Sequence, residues 1–555
     1  MPLDYTKPET LADVLSALTG GSPDDTVRHR ARVSAVHRIA DFLHRPPSDI
    51  PCEVKVLRCQ LEDLHPATCG VSGKTLSNIK SNLSDALRET GVLPDDEARP
   101  VRSAAWTAFL DKAEDPQRWG LSRFVNYCSA RNIEPDTVNQ DDFDDYQGFL
   151  DTRLLARSPD QHCKAVAGTW NHLVKKNGLS FVQFETVRRK RYVARPLTEY
   201  PKSLQDDISV YLARLTHEDI FSEEGPDKPL RPTSIRNIRA HLAQYIDALL
   251  SAGLPTSDLT SLRVAITSDN IKIAFREILK RRSDKSVPVG LANIAATLAA
   301  ICRHHLKMQS GDLKAILDLK KKVSANPRGM SSKNAERLAQ FNDWENVVRL
   351  VALPSILMNR ANGIPVGRTS AIEAMHAAAL AVLLSCPVRM ANLAGLDLDR
   401  HLRPSKRGSH TIYGIRIEGT EVKNGEPIEV VLNAKMSALL HRYIIQFRPQ
   451  VSEIKGTALF PRPSDGKPRE PHNLSSELVS RIKRETGLKV HPHLFRHLAA
   501  MLYLKERPGD FETVRRLLKH KRLQTTMDFY ANLSSQWAHD HYDKVVLAKF
   551  GGGNG

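Results

Sequence analysis

No stretch of the 555-residue chain stays apolar for the ~20 residues that a membrane-spanning helix needs. The N-terminus, MPLDYTKPETLADVL, lacks the basic-then-apolar order of a secretory leader. Residence in the cytoplasm is therefore expected. Cysteine is sparse. Cys52, Cys59, Cys69, Cys128, Cys163, Cys302 and Cys386 are odd in number, scattered and without a C-x-x-C pair, so buried, reduced thiols are expected rather than a disulfide framework or a zinc site. Acidic residues are in deficit: 63 Asp and Glu face 80 Lys and Arg, a net charge of +17. That balance suits a partner made of phosphates without requiring one. No internal repeat is strong enough to mark a duplication.

What is present is ample apolar material, 41% of residues, enough for several well-formed cores. Turn-rich, proline-bearing breaks near residues 94–101, 196–203, 222–233 and 324–335 divide the chain. The expected parts are 1–197, with an internal break near 94–101, then 198–330 and 331–555. In the first, Leu121, Phe124, Val125 and Cys128, then Phe143, Tyr146 and Leu150, then Val166, Trp170 and Leu173 fall at helical spacing. In the second, Leu204, Ile208, Tyr211 and Leu215 make one stripe. Ile235, Ile238, Leu242, Ile246 and Leu249 make another, capped at Thr233 or Ser234 and ended at Gly253, with Arg236 and Arg239 on its polar face. Helices over about 269–282 and 289–308 complete a four-helix unit.

The chemistry-bearing residues lie in the last third. His493-Leu494-Phe495-Arg496-His497 follows an extended stretch and opens an apolar run, which reads as a helix start, so His493 and Arg496, three apart, share a face at an end that favours anions. Leu383 to Leu396 reads as an apolar helix broken at Pro387, with Arg389 its only charge and in need of a partner. Thr411 to Glu418 alternates, Asn424-Gly425 signals a hairpin turn, Ile428 to Leu432 is the return strand, and Lys423 sits beside the turn. After a helix through Leu518 come His520 and, past a tight connection, a short helix with Tyr530.

These segments, in this order, resemble the tyrosine recombinases, or phage integrases, over roughly the last 200 residues, one domain's worth of chain. The resemblance implies an α+β catalytic domain, mainly α with a small antiparallel β-sheet. It also implies a helical core-binding bundle at 198–330 that closes with it around a DNA duplex, and leaves 1–197 as an additional helical DNA-binding or accessory region. Arg389 matches the first catalytic arginine, Lys423 the hairpin lysine, His493 and Arg496 the H-x-x-R box, His520 the third-position histidine and Tyr530 the nucleophile. Two departures stand out. Tyr530 lies one residue further from His520 than the commonest pattern, with Phe529 in the usual slot, and Asn392 stands where many relatives carry a carboxylate. A long connection, residues 400–410, precedes the hairpin.

The residue types suit the implied chemistry. A phenol with a pKa of about 10 attacks phosphorus poorly unless a base or a cationic setting assists it. Two arginines offer planar forks of donors to the non-bridging oxygens of a phosphorane. Lys423 would protonate the leaving deoxyribose oxygen, His493 would move the Tyr530 proton and His520 would bond the phosphate. The resemblance implies a 3′-phosphotyrosine intermediate, no cofactor and no metal, a tetramer on two DNA sites, and a mobile-element role in which partner recombinases are an open question. Each residue also has a bland alternative: Arg389 a helix cap or paired with Asp397, Lys423 a solvated turn lysine, His520 in a charged face, Tyr530 a core tyrosine with Tyr542 competing for its role. A DNA-relaxing or hairpin-forming enzyme with the same residues is a near alternative, and a DNA-binding accessory protein with a residual site is one from another class. Trp537 to Phe550 reads as an amphipathic tail helix that packs in cis or on a neighbouring subunit.

The run Arg188-Arg189-Lys190-Arg191 is either a solvated charged face or a linker tracking the DNA backbone. If it is the linker, reversing these charges lowers the slope of log binding constant against log salt by about 0.9 for each phosphate no longer neutralised. An unchanged slope in a salt titration refutes that role.

Overall fold

The computed structural model describes residues 7–20, 26–94, 100–155, 158–186, 192–216, 229–281, 287–323 and 329–543. The run 188–191 lies outside them. Helices dominate, and one three-stranded antiparallel sheet is present among the described residues, the mainly α class expected. By backbone contacts the chain divides into Val187–Arg328 and a unit that joins Met1–Thr186 with Gly329–Gly555.

The 187–328 unit is a helical bundle. Leu204, Ile208, Tyr211, Leu242, Ile246 and Leu249 are buried in its core, as their spacing predicts, while Leu215, Ile235 and Ile238 pack at its margin. The helix expected to start at Thr233 or Ser234 instead runs Pro232–Ser251 behind Arg231, because proline fits the first helical turn, where its missing N–H is no loss. A further helix, Ser310–Val323, follows the stretch where the periodicity was expected to end. The helix expected over 289–308 is α-helical over Val289–Ala300 and closes in a π-turn, Ile301–His305. Arg236 and Arg239 are exposed on the polar face. Buried Asp247 accepts from the Tyr192 hydroxyl and pairs with Arg195 at 2.9 Å.

In the other unit, residues 7–94 and 100–186 each form a helical layer with its own core. All three apolar stripes read from 121–173 are buried in the second. Its core is aromatic: Trp106 and Trp170 lie 6.0 Å apart, and Phe143 stacks on Phe184 at 4.4 Å.

Within residues 329–543, the Arg368–Ser385 helix is the axis of the core. Its sequence is apolar on every side, which suits a helix surrounded by protein. Two polar residues on it are compensated. Glu373 pairs with Arg481 and lies 3.8 Å from Arg360, and His376 meets Glu477 at 3.1 Å. Strands β1 (Leu402–Arg407), β2 (His410–Ile417) and β3 (Ile428–Val431) pair in chain order, with Leu402 opposite Ile415 and Ile417 opposite Ile428. β1 corrects the reading of residues 400–410 as a connection. It is an edge strand exposed from Arg403 onward, so it carries arginine and lysine instead of an apolar alternation.

Removing the Glu373 charge tests the core. With Glu485 still 3.5 Å from Arg481, Glu373→Gln is expected to cost about 3 kcal/mol, the low end for breaking a buried ion pair. Denaturant unfolding should show a lower midpoint with an unchanged m value.

Candidate active site

Pro387 decides where Arg389 sits. The preceding helix stops at Ser385, Val388 N–H donates to Cys386 O at 2.6 Å in a tight turn about Pro387, and Arg389 is the N-cap of the short Met390–Ala394 helix, a correction to its expected place inside a broken helix. Its guanidinium has one partner among the described residues, Asn424 Oδ1 at 3.4 Å. The alternative pairing with Asp397 is absent, because Asp397 caps the Leu398–His401 turn and accepts from Thr457 at 2.6 Å. Burial lowers the Arg389 pKa.

Arg496 lies on the Leu494–Glu506 helix, with His493 at its N-cap. Only 5% of the Arg496 residue is exposed, and its guanidinium donates to Pro387 O at 2.7 Å and to Leu518 O. Burial and the nearby Arg389 cation draw its pKa down to about 10. The buried Arg496 and half-buried Arg389 repel one another and meet no carboxylate among the described residues, which leaves unspent positive charge. An anion completes the site.

Lys423 is exposed in the loop that joins β2 to β3. That loop spans residues 418–427, with Asn424-Gly425 in its turn, between strands close to the expected ones. It holds a 3-10 turn at Gly419–Glu421 and a tight turn from Val422 to Gly425, where Gly425 takes φ +77°. Two asparagines fasten it. Asn392 donates to Glu421 O at 3.3 Å, and Asn424 touches Arg389 and donates to Lys519 O. The loop is thereby held against both the Arg389 and His520 segments.

The Phe511–Leu518 helix ends at Lys519 in the left-handed conformation, φ +52°. The chain turns there, and His520 Nδ1 meets the Thr526 hydroxyl at 3.0 Å. Arg515 pairs with Glu512 and donates to His520 O at 2.9 Å, so part of this basic run braces the turn. Tyr530 was expected on a short helix near an element end. It lies instead mid-way along Leu523–Tyr542, a helix that also takes in the start of the expected tail. The rest of that tail lies outside the described residues. Tyr530 is 1% exposed and Tyr542 is 52% exposed.

One residue the sequence reading passed over is His497. Its Nδ1 lies 2.8 Å from the Tyr530 hydroxyl, whereas no hydrogen bond joins Tyr530 to His493, the histidine expected to serve it. The clue was its place directly after the H-x-x-R box, four residues from His493 and so on the same face. The His493 and His497 rings meet edge to face at 5.0 Å. Burial comes first in lowering all three histidines to about 4, although His493 keeps an exposed edge. Arg496 is the leading cation beside His493 and His520, while His493 and His491 rank ahead of it beside His497. Burial also raises the Tyr530 pKa, which Arg496 partly opposes.

Residues 355–536 match the phage integrase family. Tyrosine recombinase XerC of Pseudomonas aeruginosa is 29% identical over 168 residues, 30% of this chain and 50% of the relative. XerC of Brucella melitensis is 29% identical over 177 residues, 31% and 51%. The chain thus spans about half the length of these curated relatives. Among solved structures, the XerH recombinase bound to difH covers 82% of this chain and 99% of its own at 12% identity and a TM-score of 0.35. The Tn1549 transposon integrase with circular intermediate DNA covers 61% and 99% at 14% identity and 0.36. The matched segment, residues 355–536, is of the phage integrase class. Over about 170 residues the chain is similar to tyrosine recombinases.

Depressed histidines make stability sensitive to acid. At pH 7 they are neutral whether folded or unfolded. As pH falls below 6.5 the unfolded chain takes up protons that the folded one refuses until about 4, so stability is lost across that window. For buried His497 the loss reaches at most about 2 kcal/mol by pH 5. Thermal unfolding should show a falling midpoint from pH 7 to 5, with a shallower fall in His497→Gln.

Proposed function

We propose that this chain is a site-specific DNA recombinase, an integrase or transposase of a mobile element, that cuts and rejoins strands through a 3′-phosphotyrosyl intermediate on Tyr530. The observation that carries the reading is the pair of half-buried Arg389 and buried Arg496, mutually repelling and without a carboxylate among the described residues, close to a buried tyrosine. Such a pair holds the non-bridging oxygens of a phosphodiester and stabilises the charge that grows on them. Lys423, on a loop fastened beside Arg389, protonates the departing 5′-oxygen. His493 and His520 line the phosphate pocket. Because the phosphotyrosine conserves the energy of the bond it replaces, the exchange needs neither ATP nor a metal. Duplex DNA is the partner, engaged in part by Arg236 and Arg239 and by the run 188–191. A tetramer on two sites, acting in the cytoplasm at the nucleoid, completes the reading, with partner recombinases added where the element encodes them.

The 1% exposure of Tyr530 favours one competitor, an accessory DNA-binding protein whose site is residual. Selection from a random duplex library with the full chain supplies the binding site, and a nicked suicide duplex of that sequence supplies the test. A covalent adduct that is lost in Tyr530→Phe, and falls at least 100-fold in rate in Arg496→Ala, a cost on the order of one oxyanion-hole donor, is the expected result. A site bound tightly with no adduct identifies the accessory protein.

A further inference from the structure

The Tyr530 hydroxyl has one hydrogen-bond partner among the described residues, His497 Nδ1 at 2.8 Å. Both residues are buried, at 1% and 4% exposure, so water does not compete for this bond. In the tautomer that carries its proton on Nε2, Nδ1 accepts from the hydroxyl. We infer that His497 is the general base that takes the proton of Tyr530 as it attacks, an assignment that rests on Tyr530 being the nucleophile.

The step balances within the site. The Tyr530 Oη–P bond forms while its proton passes to Nδ1, and the P–O5′ bond breaks while the 5′-oxygen takes a proton from Lys423. Reversal returns both protons. The groups facing His497 explain how the base is controlled. They are Arg496, His493 and His491 from its own helix and the segment before it, His520 from the turn after Lys519, and Tyr530 from the last described helix. In the free protein burial, with the Arg496 cation beside it, keeps the imidazole neutral and a weak acceptor. A DNA phosphate seated on Arg389 and Arg496 offsets that charge, so the substrate itself raises the basicity of His497. Proton removal is thereby tied to an occupied site, and the tyrosine stays protonated without DNA.

The test is single-turnover adduct formation by the full chain on the selected suicide duplex, from pH 5.5 to 9.5, in the wild type, His497→Gln, His497→Ala and Tyr530→Phe. The expected result is a wild-type rate nearly flat above pH 7. His497→Gln should be slowed at least 100-fold at pH 7, with a rate that climbs about tenfold per pH unit, as hydroxide must now remove the proton. A duplex with a 5′-bridging sulfur, whose leaving group needs no proton, should rescue Lys423→Ala but not His497→Gln. A His497→Gln rate within threefold of the wild type with the same pH profile, or a faster one, overturns the assignment while leaving Tyr530 as the nucleophile. An adduct that persists in Tyr530→Phe overturns the nucleophile itself, and the role of His497 with it. Should His497→Ala fail to fold, the glutamine variant, which keeps a polar partner for the hydroxyl, carries the comparison.

Discussion

The arrangement depends on Arg496 being held by backbone carbonyls instead of by a carboxylate. Its guanidinium spans Pro387 O and Leu518 O, so one side chain ties together the tight turn before Arg389, its own helix and the turn that presents His520. A carboxylate in that place would neutralise the charge, whereas carbonyl dipoles fix the fork and leave most of the charge available. The cost is a buried, underpaired cation, visible in the lowered pKa of Arg496 and of every histidine beside it.

Around that anchor, three irregular backbone features set the site. Pro387 stops one helix so that Arg389 can begin another. Asn424 and Asn392 clip the β2–β3 loop against the site. Lys519 adopts a left-handed conformation at the end of its helix, which turns His520 inward. The supporting core is conventional by comparison. A largely apolar helix, Arg368–Ser385, sits at its centre, and the Glu373–Arg481 pair locks that helix to the one before the H-x-x-R box. Rigid core and irregular rim divide the labour, since the core fixes where the rim residues start and the rim fixes where they point.

Much of this was legible in order and type. Arg389, His493, Arg496, His520 and Tyr530 stood out as candidates because a helix start, a proline break and a basic turn each leave local marks, and the apolar stripes marked buried faces in the 100–186 layer and the 187–328 bundle. The misreadings share one cause, the override of local pattern by tertiary context. β1 is too charged to look like a strand until it is seen at the sheet edge, and the helix of Tyr530 runs on because nothing in its sequence stops it.

By itself, the sequence determined which side chains are available, their order, and the faces on which neighbours three or four apart must lie, since these follow from helical geometry and the conformational limits of proline. Only the tertiary structure decided which histidine meets Tyr530. His493 and His497 lie on one face of one helix and differ by a single turn. The choice between them is made by the packing of the Leu523–Tyr542 helix, which brings together residues 33 apart in the chain, a pairing that no local pattern encodes.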